Sequence, residues 1–306
     1  MFYADGCYDV GAERETRWIV ESVSRANRLF DPGDEETSRV SLRSAARVLR
    51  DKKVTSIWLD TDATEPTGKM QSLLRGIPGL RQLMLPSQFA PLLRPEMISP
   101  DVKELWFYGQ YDRQYWKNST VTLTSKSPFV GIESLTGPLL CYRCPTRLKL
   151  EAEAFPNLRA IDFSFDPRRR FGATLRRLTK LVAVSVANFD SIEQLGDLLD
   201  PPSILSLTLG WNAKLETLAG IDEFRNLRHL KATSLTHLRT LDDVASLDKL
   251  EFIGIYWSKR VDDPFGLLRV PNLKAISTFG NEHRKPIWRA LRERAAARGI
   301  DVARMV

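Results

Sequence analysis

Residues 204–212 read Ile-Leu-Ser-Leu-Thr-Leu-Gly-Trp-Asn, with apolar residues at the first, fourth and sixth positions of the stretch. The same pattern returns every 23 residues through the second half of the chain. Its six starts are Leu158, Leu181, Ile204, Leu227, Leu250 and Leu273. A unit this short cannot bury its own apolar face, so a regular period predicts copies of one unit stacked on each other. The sequence therefore predicts a solenoid.

The hydrophobic period changes within each unit. Alternation at the start of the unit is typical of a strand with one buried face. A spacing of three then follows at Leu215, Leu218, Ile221 and Phe224, and it is typical of tight helical turns that pack inward. Asn212 stands at the bend between the two, where its amide is expected to satisfy backbone groups that no ladder reaches.

The repeat at 204–212, with its asparagine and its return arc, resembles the leucine-rich repeat family, and the short period and arginine content resemble bacterial members. The resemblance implies an α/β solenoid with a curved parallel β-sheet on the concave side. It also implies short helices or 3-10 turns on the convex side and helical caps at the ends. Proteins of this kind are non-catalytic modules that hold a protein partner, which is the function that the resemblance implies here.

Three further strand patterns begin at Val54, Leu80 and Val102, so we expect repeats over residues 54–281. The register is lost at about 108–157, where we expect an irregular insertion with degenerate repeats around Val121–Leu123 and Leu135–Leu140.

A solenoid exposes apolar ends unless something covers them, so both termini are expected to be caps. Residues 1–53 predict an N-terminal cap of two helices, one over 13–30 and one that ends near Leu49. Residues 282–306 predict a helix that begins at Pro286 and ends at Gly299, followed by a short strand.

Bulk composition narrows the class of protein. The 306 residues contain no run of about 18 apolar residues, which a membrane-spanning helix requires. The first residues show no secretory signal, and Cys7, Cys141 and Cys144 are too few for a disulfide framework, so we expect a cytoplasmic protein. Cys141 and Cys144 form no four-ligand zinc site with the distant histidines, and we expect two ordinary thiols.

The net charge of +7 raises the alternative of nucleic-acid or polyanion binding. Arginines cluster at 168–177 on one return arc and at 284–298 in the predicted C-terminal helix. Neither group stands in a register that lines the strands, and no nucleic-acid motif accompanies them. We therefore interpret both groups as solvated edges and do not expect nucleic acid as the partner.

In a solenoid strand, the positions three and five after the start point inward, so positions two, four, six and seven face the open concave side. Large aromatic side chains on that side are enriched in binding hot spots. The candidate partner-binding residues are Trp58, Trp106, Tyr108, Tyr111, Tyr115, Trp116, Phe165, Trp211, His229, Lys231, Phe252, Tyr256 and Trp257. Two structural alternatives stay open: the rings in the repeats pack on one another as an auxiliary layer, and the cluster at 108–117 is decoration of the insertion.

No catalytic, phosphate-binding or metal motif is present, so we expect no enzyme activity, no cofactor and no metal. The leading hypothesis is a protein-binding module, either an immunity protein that neutralises a toxin or effector, or an intracellular adaptor. We expect it to be monomeric when unbound and not to bind a membrane. The alternatives are polyanion binding through the arginine-rich edge and C-terminal helix, and an enzyme with an unrecognised site near the insertion.

Overall fold

The computed structural model describes twelve stretches of the chain, and their bounds are 17–21, 37–41, 49, 54–61, 63, 65–108, 120–123, 127–137, 147–165, 175–187, 189–279 and 286–304. The chain forms two compact units. Among the described residues, the first unit holds 17–159 and the second holds 160–304.

The part of the first unit that the structure describes contains eight strands, one complete α-helix and the single helical residue Leu49. The strands are β1 (Arg17–Glu21), β2 (Thr37–Ser41), β3 (Ser56–Asp60), β4 (Gln82–Pro86), β5 (Glu104–Tyr108), β6 (Thr120–Leu123), β7 (Ser134–Thr136) and β8 (Arg147–Leu150). Six of them form a parallel ladder in the order β2-β1-β3-β4-β5-β7, while β6 pairs with β8 in a separate two-stranded sheet. The helix α1 (Gly68–Arg75) follows β3, and the Thr67 side chain caps it by accepting a hydrogen bond from the Met70 N–H. Further arcs are the 3-10 turns Ser87–Leu92, Pro95–Met97 and Ala152–Ala154.

The part of the second unit that the structure describes contains seven parallel strands in chain order. They are β9 (Ala160–Phe165), β10 (Ala183–Ala187), β11 (Ser206–Gly210), β12 (His229–Thr233), β13 (Phe252–Tyr256), β14 (Ala275–Phe279) and β15 (Asp301–Arg304). From β10 to β14 each strand pairs with the next at an offset of 23 residues, as in Ser206 with His229. The predicted period is therefore equal to the sequence offset between paired residues of neighbouring strands.

The return arcs of the second unit are short. They comprise the helix α2 (Glu193–Leu198) and the 3-10 turns Leu175–Arg177, Pro201–Ser203, Ile221–Glu223, Asp242–Ser246 and Phe265–Arg269. Leu218, Ile221 and Phe224 are 0% exposed, as the spacing of three predicts. On the facing strands Leu207 and Leu209 are at most 1% exposed. Side chains of the strands and of the return arcs therefore pack together in one apolar layer.

The expected N-terminal helices are wrong where the structure describes this segment, because Arg17–Glu21 and Thr37–Ser41 are strands. Trp18, Ile19 and Val20 are all good strand formers, and pairing of β1 with both β2 and β3 overrides the helical spacing. Leu49 is helical and fully buried, and the rest of 1–53 lies outside the described residues.

The predicted insertion holds strands, but not two equivalent repeats. Leu135 lies in β7 and continues the main ladder beside β5, whereas Val121 lies in the separate sheet of β6 and β8. Thirty residues separate Glu104 from its partner Ser134, more than the usual period, and β6 lies within this longer connection, whereas β8 follows β7. At the other end, the helix α3 (Pro286–Ala297) precedes β15, with Trp288 fully buried.

Candidate functional site

The strand face of the second unit opposite the apolar layer carries a mixed set of side chains. Position two brings Ser206, His229 and Phe252 side by side, and position four aligns Thr208 with Lys231 and Gly254. His229, Lys231 and Phe252 are partly exposed. The rings of His229 and Phe252 lie 6.3 Å apart, centroid to centroid, at an interplanar angle of 51°. These predicted contact residues therefore do share one face.

The seventh position of the repeat has an unusual backbone. Trp211, Ser234 and Trp257 adopt φ angles of 47°, 54° and 51°, in the left-handed region. The Trp211 N–H donates to the Thr233 carbonyl at 3.0 Å, and the Ser234 N–H donates to the Tyr256 carbonyl at 2.8 Å. The ladder therefore ends at this position, where the chain turns into the return arc. Any residue can donate these bonds, and glycine or asparagine would adopt this φ at the lowest cost.

Tyr256 corrects one expectation about the concave face. It was expected to be displayed to solvent, but it is only 7% exposed. Its ring lies over Gly254, which has no side chain to keep it away. The Tyr256 ring also contacts Trp257, with centroids 6.5 Å apart. For Tyr256 the alternative of an auxiliary packed layer is therefore the better description.

Charges surround His229 at the edge of this face. Burial lowers the pKa of His229, the nearby Glu251 carboxylate opposes that shift, and Arg228, Lys231 and Lys274 add to it. Glu251 receives a hydrogen bond of 2.7 Å from the Lys274 ammonium group, which lowers the pKa of the Glu251 carboxyl. The lowered pKa favours the neutral form of the His229 imidazole, whose ring lies beside that of Phe252.

The first unit carries its own aromatic stripe. Trp58, Met84 and Trp106 occupy position four of adjacent strands and stand in direct register. All three side chains are partly exposed. Beside them at position two, Ser56 Oγ donates to Gln82 Oε1 at 2.7 Å, and Gln82 Nε2 donates to Glu104 Oε2 at 3.1 Å.

Five other predicted residues have no described side chain, so they are assigned to neither group. Tyr108 and Phe165 end β5 and β9, and the structure describes their backbone but not their side chains. Tyr111, Tyr115 and Trp116 lie outside the described residues. The predicted set therefore resolves into a stripe on the first unit and a cluster on the second.

The expected turn asparagine is confirmed by its contacts. Asn212 is 3% exposed, its Oδ1 accepts from the Lys214 and Leu215 N–H groups at 2.7 and 2.8 Å, and its Nδ2 donates to the Phe189 carbonyl. Ser258 holds the equivalent place two repeats later, and its hydroxyl donates to the Tyr256 carbonyl at 3.3 Å. Asp166 and Asn281 hold the same position in two other repeats, and both lie outside the described residues.

The sequence-based predictions did not include another set of structural asparagines, which lie directly before repeat starts. Asn157, Asn226 and Asn272 each donate from Nδ2 to a backbone carbonyl of the preceding repeat, at 2.7, 2.7 and 2.6 Å. The signal was available in the sequence, because each asparagine immediately precedes the first leucine of a repeat. These bonds fasten successive arcs to each other.

Two arginines of the arginine-rich groups make contacts within the chain. Arg176 donates to the Gly196 carbonyl, and the Arg294 guanidinium stacks over the Phe265 ring at 4.5 Å. Residues 168–170 lie outside the described ranges. A cavity of about 250 Å³ opens between the loops around Asp190 and Lys214, away from the strand face.

Nowhere in the described ranges do three or more histidine, cysteine or acidic side chains cluster in a way that would bind a metal ion. Among the helices that the structure describes, none combines the length and the hydrophobicity needed to cross a bilayer. Cys7, Cys141 and Cys144 lie outside the described residues.

No family model and no curated protein matches the sequence. Solved structures do match in shape. The TLR13–ssRNA13 complex aligns with a TM-score of 0.50 and 15% identity over 87% of this chain, which spans 45% of the length of that structure. The mouse RP105/MD-1 complex aligns over 94% of this chain and 59% of its own, with a TM-score of 0.38 and 12% identity. An internalin of Listeria monocytogenes aligns over 79% of this chain and 78% of its own, with a TM-score of 0.34 and 13% identity.

The parallel ladder with short return arcs and this likeness in shape agree with each other. The chain has the leucine-rich repeat fold, as the sequence predicted.

Proposed function

We propose that the chain is a non-catalytic module that binds a protein partner through its aromatic strand face. The observation that carries this proposal is the left-handed backbone of Trp211 and Trp257. A bulky residue in this region costs about 1–2 kcal/mol relative to an ordinary conformation. Residues held at such a cost occur preferentially at functional sites. The turn itself does not call for tryptophan at these two positions. Contact of the two side chains with a partner explains them better.

The arrangement of the two rings fits a protein surface. Ser234 stands between them in the same column, and strands in a sheet are about 4.8 Å apart, so the Trp211 and Trp257 positions are about 10 Å apart. A gap of that width admits a side chain of the partner. Tryptophan also contributes large contact area at low entropic cost, which is why it is enriched in hot spots. Phe252, His229 and Lys231 extend the same surface.

Within this class, the partner that we propose is a toxin or effector that the chain neutralises, or an intracellular protein for which it is an adaptor. Binding across an open strand face acts by covering the partner's surface. In the neutralising role, the mechanism is occlusion of the partner's active site.

The proposal is tested with Trp211→Ala combined with Trp257→Ala. The partner is identified by native affinity purification from the source cells, produced separately, and titrated by calorimetry. We expect at least about 30-fold weaker binding, since each hot-spot residue contributes about 2 kcal/mol or more. Leu92→Ala with Val130→Ala is the matched control, because these side chains are 43% and 60% exposed on return arcs and should leave the affinity unchanged.

A second pair of variants separates binding from folding. Glycine adopts the left-handed region without strain, so Trp211→Gly with Trp257→Gly should keep a cooperative melt and still lose the partner. Undiminished binding by either pair would reject the strand-face assignment. Loss of the cooperative melt in both pairs would instead favour the auxiliary-layer alternative.

The alternative of polyanion binding has one observation in its favour, because the TLR13 structure of similar fold is a complex with single-stranded RNA. At 15% identity that likeness concerns the fold alone. Arg176 and Arg294 already make contacts within the chain, so we favour the protein partner. A steep fall of affinity with salt would support the polyanion, because phosphate binding releases counterions.

The alternative of an enzyme near residues 108–157 gains no support from the part of that segment that the structure describes. Phe129 and Phe155 stack there at 5.1 Å, and both are buried in the core. We propose no catalytic activity for the chain.

A further inference from the structure

The aromatic stripe of the first unit, formed by Trp58, Met84 and Trp106, has a chemistry of its own. Trp58 pairs in register with Met84, and Met84 pairs with Trp106. The two tryptophan positions are thus two strands, or about 10 Å, apart, with a flexible thioether between them. The stripe therefore places an indole ring on either side of the apolar Met84 side chain.

A polar column runs beside this stripe and ends on a carboxylate. The Ser56 hydroxyl donates to Gln82, and the Gln82 amide donates to Glu104. Each bond orients the next side chain, so Glu104 is held beside Trp106, two residues away on the same face of β5. The remaining Glu104 oxygen has no hydrogen-bond donor among the residues that the structure describes.

Glu104 also has no cationic partner in the described part of the chain. The basic residue next to it, Lys103, pairs with Glu133 at 3.2 Å instead. A carboxylate is an acceptor with about four lone-pair sites, and Gln82 fills one of them. The described residues of the first unit therefore leave the Glu104 carboxylate without a cationic partner.

Trp106 presents apolar ring surface to solvent. Its Nε1–H is covered and has no acceptor among the described residues, although the side chain as a whole is partly exposed. Solvent therefore reaches the remainder of the ring and not the donor group. The face of an indole ring is electron-rich and attracts cations more strongly than the faces of the other aromatic side chains do.

We propose that Glu104 and Trp106 bind one arginine side chain of the protein partner. The guanidinium group donates to the Glu104 carboxylate and stacks on the Trp106 ring, while its methylene stem lies along Met84. Arginine fits better than lysine, because its planar group forms paired hydrogen bonds with a carboxylate and also stacks on aromatic faces. The inference rests on the proposed function, since it needs a protein partner, and Trp106 is one of the residues that the sequence predicts to contact that partner.

The charge at this patch excludes other occupants. An acidic side chain would meet the Glu104 carboxylate and be repelled. A purely apolar side chain would cover Glu104 without giving it a partner, and an unpaired buried carboxylate is costly. An arginine side chain both neutralises the Glu104 carboxylate and stacks on the Trp106 ring.

The test uses N-acetyl-arginine methylamide as the probe. It is titrated into the isotope-labelled full chain while the indole N–H signals are followed, and Trp106→Phe assigns the Trp106 signal. We expect a saturable millimolar shift of that signal. N-acetyl-citrulline methylamide has the same shape without the charge, so it should cause no saturable shift at equal concentration. Equal shifts with both probes would overturn the proposal.

Glu104→Gln is the decisive variant, since it keeps the size of the side chain and removes its charge. We expect about five-fold weaker probe binding, the upper range for a partly exposed ion pair. Glu96→Gln is its control, because Glu96 is exposed on the 3-10 turn Pro95–Met97 and should not change the titration. Unchanged binding by Glu104→Gln would overturn the assignment.

The same titration separates this inference from the proposed function. The Trp211→Ala and Trp257→Ala variant should lose the partner but still show the arginine shift at Trp106. A wild-type chain that binds the partner through Trp211 and Trp257 but shows no arginine shift would overturn only the arginine site. An arginine shift that persists when partner binding does not depend on those tryptophans would reject only the strand-face cluster of the second unit.

Discussion

Tyr256 covers Gly254 on strand β13. A Cβ atom on Gly254 would stand 2.6 Å from the Tyr256 hydroxyl oxygen and 2.7 Å from two carbons of its ring. Non-bonded atoms do not approach this closely, so the tyrosine ring occupies the space that a side chain at position four would need. The absence of a side chain at Gly254 is thus what buries Tyr256.

Gly254→Ala should therefore displace the Tyr256 ring. The far end of a tyrosine can move, so we expect the fold to persist and the free energy of unfolding to fall by about 1–3 kcal/mol, as for overpacked sites. Urea denaturation measures this loss, and tyrosine fluorescence quenching reports the exposed ring. Gly210→Ala is the matched control: it lies in β11, and its Cβ would meet only two carbonyl oxygens at 3.7 and 3.8 Å.

A double-mutant cycle assigns the cost to this pair. In a Tyr256→Ala background the added methyl group has nothing to displace, so Gly254→Ala should then cost almost nothing. If the cost is the same in both backgrounds, the strain lies in the backbone and not in the tyrosine ring.

The repeat register was predictable because burial alone sets it. Leu207, Leu230 and Ile253 are at most 1% exposed, and any shift of one residue would turn them out of the core. The return arcs were predictable for the same reason. Ala232 departs from the apolar pattern of large residues and is nevertheless 0% exposed, because its position in the register decides its burial.

The concave face was less predictable, because side chains there are not fixed by the core. Tyr256 and Trp257 are neighbours in sequence, yet the first is buried over a glycine and the second stands on a left-handed turn. The prediction of N-terminal helices was wrong for another reason. Trp18, Ile19 and Val20 fit a helix or a strand locally, and only their pairing with β3 decides between the two.

Asn212 is expected to be the most costly turn residue to replace. Asn212→Ala leaves two N–H groups and one carbonyl without their partner in a buried site, and each such group costs about 1–3 kcal/mol. We expect a loss of about 3 kcal/mol or more in the free energy of unfolding, measured by urea denaturation. Asn212→Asp keeps the two accepted bonds and should lose less.

Asn226→Ala is the comparison for Asn212, since Asn226 donates one bond to the Pro202 carbonyl and accepts one from the Lys249 ammonium group, both at the exposed edge of the arcs. Water replaces both bonds, so the loss should be about 1 kcal/mol. A loss for Asn212→Ala no larger than this would contradict the assigned network.

His229 should make the stability of the fold depend on pH in a defined direction. Burial holds its pKa in the folded state below the ordinary value of about 6.5. Above that value the imidazole is neutral in both states, and its full contribution is present. As the pH falls from about 6.5 through the folded-state pKa, the unfolded chain takes up the proton first, so stability declines. Urea denaturation between pH 8 and pH 5 measures this decline.

The window lies above the range of Glu251, the other described residue whose pKa is shifted, because that pKa is lowered from a value of 4.5 and its contribution is lost only below that pH. His229→Gln removes the titrating group and should flatten the curve between pH 6.5 and pH 5. A variant curve as steep as that of the wild-type chain would show that another group is responsible for the decline.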